Sequence, residues 1–122
     1  MPKDAIDVAQ DNKRRYELFS DRRRVTYEVR RLVTAIIEHP RWPEVAEGAF
    51  ELELYLSAAL DSVDYGFCVR ACEASSQSLQ DDVRQLYVTL VRLARLWVAL
   101  EDGDPVAALL ARHRDGEHLA SR

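Results

Sequence analysis

Residues 81–100, DDVRQLYVTLVRLARLWVAL, carry the pattern that decides the fold. Val83, Leu86, Leu90, Leu93, Trp97 and Leu100 follow one another at alternating steps of three and four, the spacing of one face of an α-helix. Tyr87, Val91, Ala94 and Val98 widen that stripe to about half the helix circumference. A helix so apolar needs cover on several sides, so the pattern predicts the central helix of a bundle. Arg92 and Arg95 interrupt the longest apolar run, Leu86 to Leu100, which is also too short to span a membrane.

Helical spacing continues on both sides of this stretch. Upstream, Val25, Val29, Leu32, Val33, Ile36 and Ile37 make one apolar face, which Leu18 extends backwards. Pro40 and Pro43 in HPRWPE stop this helix near Glu38 or His39, because a residue before proline disfavours the helical region. Ser20 marks a possible fresh start within it. Pro43 suits the first turn of the next helix, with Glu44 and Glu47 near its positive end. Val45, Ala49, Leu52, Leu56, Ala59, Leu60 and Val63 form that helix's core stripe, and Gly66 would end it. The SSQS run at 75–78 reads as a break, with Ser78 and Asp81 as a capping pair for the next helix. Glu101-Asp102-Gly103 closes that helix, and Asp104-Pro105 opens another.

The expected fold is therefore all-α. It is a compact helical bundle with three long helices at about 21–39 (or from near 13), 43–65 and 79–101, plus short helices at 67–75 and 105–113. Residues 1–114 read as one domain with 1–12 as a frayed lead-in, and 115–122 as a mobile tail. The turns are short, so helices adjacent in sequence should run antiparallel. At 122 residues the chain is long enough to bury a core without disulfide staples. Two cysteines and no apolar leader in MPKDAIDVAQ give the expectation of a reducing, cytoplasmic setting.

Charge is distributed unevenly. The net charge of −4 combines residues 1–41, with ten basic and seven acidic side chains, and residues 42–122, with seven and fourteen. Lys13 to Arg31 holds eight basic residues against three acidic, whereas Glu44 to Asp82 holds nine acidic against Arg70 alone. Such asymmetry bears on partners rather than on fold.

On a continuous first helix, Lys13, Arg24 and Arg31 fall on one line opposite the apolar face. Arg23 and Arg30 fall on the next, with Tyr16 and Tyr27 between. Guanidinium groups along a rigid rod suit a phosphate backbone, since Arg binds phosphate bidentately and Tyr can stack or hydrogen-bond. The candidate nucleic-acid contacts are Lys13, Arg23, Arg24, Tyr27, Arg30 and Arg31, and they would be independent of base sequence. The plainer alternative is a solvated face paired with Glu17, Asp21 and Glu28 at helical spacing. Arg15 and Arg22 point towards the apolar side, which calls either for a break at Ser20 or for acids from elsewhere, Glu53 and Asp64 being candidates.

Phe50 and Leu54 lie off the second helix's core stripe, among Glu47, Glu51 and Asp61. These five residues form a candidate protein interface. An acidic helix on one copy and a basic helix on the next suggest head-to-tail association.

No cofactor and no metal site are expected. Glu44, Glu47, Asp61 and Asp64 give an ExxE followed by a DxxD, similar to the Mg-binding carboxylates of the all-α MazG-type nucleotide pyrophosphatases. In that family the second motif is ExxD on a separate, facing helix. Here both pairs share one expected helix, too far apart to hold one ion. Cys68 and Cys72 lack further ligands at metal spacing and read as small residues at a helix contact. His39, His113 and His118 fall at helix ends or in the tail, with no Ser, Cys or Asp placed to form a triad.

In size, all-α content and basic helix face, the whole chain resembles the small subunits of CRISPR RNA-guided effector complexes, which line a filament and support the nucleic acid. The resemblance rests on no sequence motif. It implies a non-catalytic subunit that contacts RNA or single-stranded DNA through Arg23, Arg24, Arg30 and Arg31 and assembles with copies of itself or with other subunits. The alternative is a protein-binding adaptor or regulator, of phage or host-defence type, whose basic helix docks on an acidic partner. Neither reading involves a membrane.

Overall fold

The computed structural model describes residues 5–70 and 75–120, with side chains described for 5–63 and 75–115. Five helices follow in order: α1 Ala5–Ile37, α2 Trp42–Gly48, α3 Phe50–Arg70, α4 Ser76–Glu101 and α5 Val106–Ala120. Among the described residues there is no strand, and the all-α expectation holds.

The most extensive packing is between α1 and α4. Their cross-links set the direction. Asp11 accepts from Ser76, Arg14 donates to Gln80, Arg22 meets Asp82, Arg24 meets Tyr87 and His39 meets Glu101. Residue numbers rise together on both helices, so this pair is parallel. The intervening α2 and α3 carry the chain back between them, α3 packing against both α1 and α5. Helices adjacent in sequence can thus alternate in direction while the dominant pair does not.

The core is aliphatic apart from Trp42 at the start of α2. Val25, Val29, Val33 and Ile36 come from α1, with Val45 from α2 and Ala49 from the link behind it. Leu52, Leu56, Ala59 and Val63 come from α3, Leu86, Leu93, Leu96, Ala99 and Leu100 from α4, and Leu109 from α5.

The expected stripes of the first two long helices are largely the buried ones, though Leu18 and Leu32 are half-buried and two more residues depart at edges. Ile37 is exposed at the very end of α1, and Leu60 is half-buried.

α4 departs further from expectation. Tyr87, Val91 and Val98 are 40%, 49% and 53% exposed, and Ala94 is also exposed. The wide stripe is therefore covered on one side only, and α4 is not sheathed all round. Its buried arc instead extends towards Leu96 and Ala99, where α5 packs.

Several boundaries move for identifiable reasons. α1 has no Gly or Pro from Ala5 to Ile37 and runs unbroken through Ser20, taking in residues 5–12 as well. The second long helix is interrupted at Ala49, whose φ of −145° and ψ of 72° are not helical. Just before it, Gly48 approaches α5 so closely that a Cβ there would lie 3.3 Å from Val106 Cγ1. α3 then continues through Gly66 to Arg70, so 67–70 belongs to it rather than to a separate short helix. α4 starts at Ser76, capped by Ser75, whose Oγ accepts from the Ser78 backbone N–H at 3.1 Å. α5 runs to Ala120, past the expected end at His113.

The end of α4 is fastened by the chain after α1. Gly103, at φ +76°, adopts a left-handed conformation that favours glycine. The Gly103 and Asp104 N–H groups return to the carbonyls of Leu100 and Ala99, a Schellman closure. Arg41 Nη2 donates to the Asp104 carbonyl at 2.7 Å, placing a cation at the negative end of the helix. Beside it, the Arg41 backbone N–H donates to His39 Nδ1. That leaves His39 Nε2 to carry the ring proton and meet Glu101 Oε1 at 3.1 Å, with the ring edge-on to Trp97. His39 is thus a nearly buried clamp between α1 and α4.

Candidate functional site

The unbroken α1 fixes where its cations point. Val25, Val29, Val33 and Ile36 face the core, so the residues half a turn away must face solvent. Lys13, Arg23, Arg24, Arg30 and Arg31 are all exposed, as are Tyr16 and Tyr27. From Lys13 to Arg31 this arc extends about 27 Å along the axis. The sequence-derived set is therefore brought together on one outward face.

That face is partly self-paired. Arg24 Nη2 lies 2.9 Å from Asp21 Oδ1 and donates to the Tyr87 hydroxyl of α4 at 3.3 Å. Arg31 meets Glu28 at 2.7 Å. Hydrogen bonding to Tyr87, then the charges of Tyr87 and Asp21, hold Arg24 above its ordinary value; Glu28 does the same for Arg31. Both stay cationic at any working pH. Their acid partners sit three residues away on exposed helix surface, where such pairs contribute little and yield readily to a stronger anion. Lys13 and Arg23 have no ion pair among the described residues.

Arg22 is turned inward and only 4% exposed. Its Nε lies 2.5 Å from Asp82 Oδ2 on α4. One acid that meets it from elsewhere is Asp82. Glu53 is exposed and Asp64 lies outside the residues with described side chains. Arg15, partly exposed, lies 5.9 Å from the Phe19 ring centroid.

The candidate protein interface is also outward. Phe50 and Leu54, 65% and 55% exposed, stand one turn apart on α3 with Asp61 two turns further along. Glu47, on α2, and Glu51 are exposed too, and Glu51 reaches Arg114 of α5 at 3.4 Å.

The break at Ala49 separates Glu44 and Glu47 on α2 from Asp61 on α3, so the acid pairs do not share one helix. Among the described residues, no group of His, Cys, Asp and Glu could hold a metal ion. The side chains of Cys68 and His118, and Cys72 altogether, lie outside the described residues. No described helix is long and apolar enough to cross a membrane.

A second polar cluster was not expected from sequence. Arg92 lies with its guanidinium 4.3 Å over the Tyr55 ring, and its Nη2 is 2.8 Å from His113 Nδ1. The only sequence signal was an arginine inside the most apolar stretch of the chain.

No known protein family, curated protein or solved structure matches this chain.

Proposed function

We propose that this chain is a non-catalytic helical subunit of a larger assembly that lays the outer face of α1 along a nucleic-acid backbone. This is the role implied by the resemblance to the small subunits of RNA-guided effector complexes. The observation that supports it most is the arc of five cations and two tyrosines opposite the core on one uninterrupted helix. Rigidity matters here. Charges fixed on a rod lose less freedom on binding than charges on a loop, and the contacts need read no base. Binding would exchange Asp21 and Glu28 for phosphate oxygens on Arg24 and Arg31.

Fluorescence anisotropy with labelled single-stranded RNA and DNA tests this. Affinity should fall steeply with salt. Changing Arg23, Arg24, Arg30 and Arg31 together to Ala should flatten the slope of log K against log salt by roughly three. No binding to either strand at low salt would sink the reading.

A second reading is supported by the open apolar surfaces. The basic face would then dock on an acidic protein, and the chain itself carries a complementary pair. Phe50 and Leu54 lie among acids on α3, while Tyr87, Val91 and Val98 lie open on α4, with Tyr87 bonded to Arg24. A head-to-tail contact would cover both. Sedimentation at high concentration should show self-association that Phe50→Ser with Leu54→Ser abolishes. A wild-type chain that stays monomeric would remove it.

A further inference from the structure

Between α3, α4 and α5 lies a cleft of about 40 Å³ to which α1 contributes no residue. Its polar wall is Arg92 and Arg95 of α4, Arg112 and His113 of α5, and Tyr55 of α3. Its apolar floor includes Leu96 and Leu109, both buried.

Charge in this cleft is unbalanced. Arg112 is paired with Asp104 at 3.0 Å. Arg92 and Arg95 make no ion pair with any carboxylate among the described residues. Arg92 is instead held by groups other than carboxylates: the Tyr55 ring face, a His113 ring nitrogen at 2.8 Å and the His113 carbonyl at 3.3 Å. Its Nε is buried and has no hydrogen-bond partner among the described residues. A half-buried guanidinium with an unused donor and no carboxylate partner among the described residues is costly unless something anionic joins it. Stacking on Tyr55 fixes the plane of the fork, so little freedom remains to be lost when an anion docks.

We infer that this cleft is a binding site for a phosphate-type oxyanion, held between the Arg92 and Arg95 guanidinium groups. Two cations not offset by carboxylate match a dianion better than a single carboxylate, and guanidinium groups meet phosphate oxygens in pairs. The volume admits roughly three water-sized groups, the scale of a phosphate head rather than of a nucleoside. The anion is either free phosphate or the end of a phosphomonoester whose remainder stays outside. Because α1 takes no part, the site stands or falls separately from the nucleic-acid reading.

Isothermal titration calorimetry on the full chain tests it, using inorganic phosphate, phenyl phosphate and acetate at matched ionic strength. Phosphate should bind with one-to-one stoichiometry. Arg95→Ala and Arg92→Lys should each weaken it about tenfold or more, since one loses the charge and the other the fork. Arg84→Ala, exposed on α4 and outside the cleft, should leave it unchanged. Arg95 is exposed, so its variant tests the site without disturbing the core. Tighter binding of phenyl phosphate would identify an ester as the ligand, and equal binding the free anion. Three results would overturn the inference: no binding up to about 10 mM phosphate, equal affinity in both variants, or acetate binding as tightly as phosphate.

Discussion

Asp82→Ala is expected to destabilise the chain by about 2–3 kcal/mol, more than Arg22→Met does. The reason is the asymmetry of the pair. The Arg22 side chain is 5% exposed and Asp82's is 41%. Removing Asp82 takes a carboxylate from a buried guanidinium that cannot lose its proton, and the charge must then rest on its remaining contacts. Removing Arg22 leaves a carboxylate that water can still solvate, and Met keeps most of the stem's packing. Arg22→Met should therefore cost only about 1–2 kcal/mol, within the range for a change that spares the core. Denaturant midpoints of the two variants and of the double mutant measure this directly. If Arg22→Met proves the worse, Asp82 is not what keeps Arg22 in place. The pair links parallel helices at one register, and a single buried polar contact of this kind selects an alignment that interchangeable aliphatic contacts leave open.

That register was only partly legible in the sequence. The helical spacing of Val25, Val29, Val33 and Ile36 showed which way α1 must face, and hence that Arg23, Arg24, Arg30 and Arg31 point outward. The same geometry turned Arg22 inward and required an acid to meet it. Periodicity within one helix says nothing about which helix comes alongside, so Asp82 could not be read. The break at Ala49 was hidden for a related reason. A one-residue interruption left the apolar residues in phase on both sides, so the stripe from Val45 to Val63 looks continuous. Gly48 was the available sign, but its meaning depends on Val106, some sixty residues later. The cluster around Arg92 was missed because its parts come from three helices and none follows a spacing rule. An arginine within an apolar run resembles a solvated edge until Tyr55 and His113 are placed beside it. Capping was more local and read better: Gly103 was correctly placed as the terminator of α4, whereas Ser75 took the role expected of Ser78.

The breadth of the α4 stripe is where sequence and structure differ most, and two substitutions separate them. Leu96→Ala is expected to cost about 2–4 kcal/mol, because Leu96 is 9% exposed, lies in the aliphatic core and faces the α5 side. Val98→Ala, at a residue 53% exposed, should change stability by about 0.5 kcal/mol or less. For a chain of this size that is a melting shift of roughly 10 °C or more against one near 2 °C. The opposite ranking would restore α4 as a helix covered on the Val91–Val98 side. Hydrophobic spacing alone favours that opposite ranking, since Val98 continues the series from Tyr87, Val91 and Ala94 while Leu96 stands off it. The structure reverses the order because α5 and α3 approach α4 from the Arg92–Leu96 side, leaving the valines facing outward. Burial on a helix is decided by where its neighbours lie, and a stripe wider than the available neighbours leaves an apolar margin. On α4 that margin adjoins the basic face of α1 through the Arg24–Tyr87 contact. An assembly partner would therefore meet cations and apolar side chains on one continuous surface, and Val98 would matter to association while mattering little to folding.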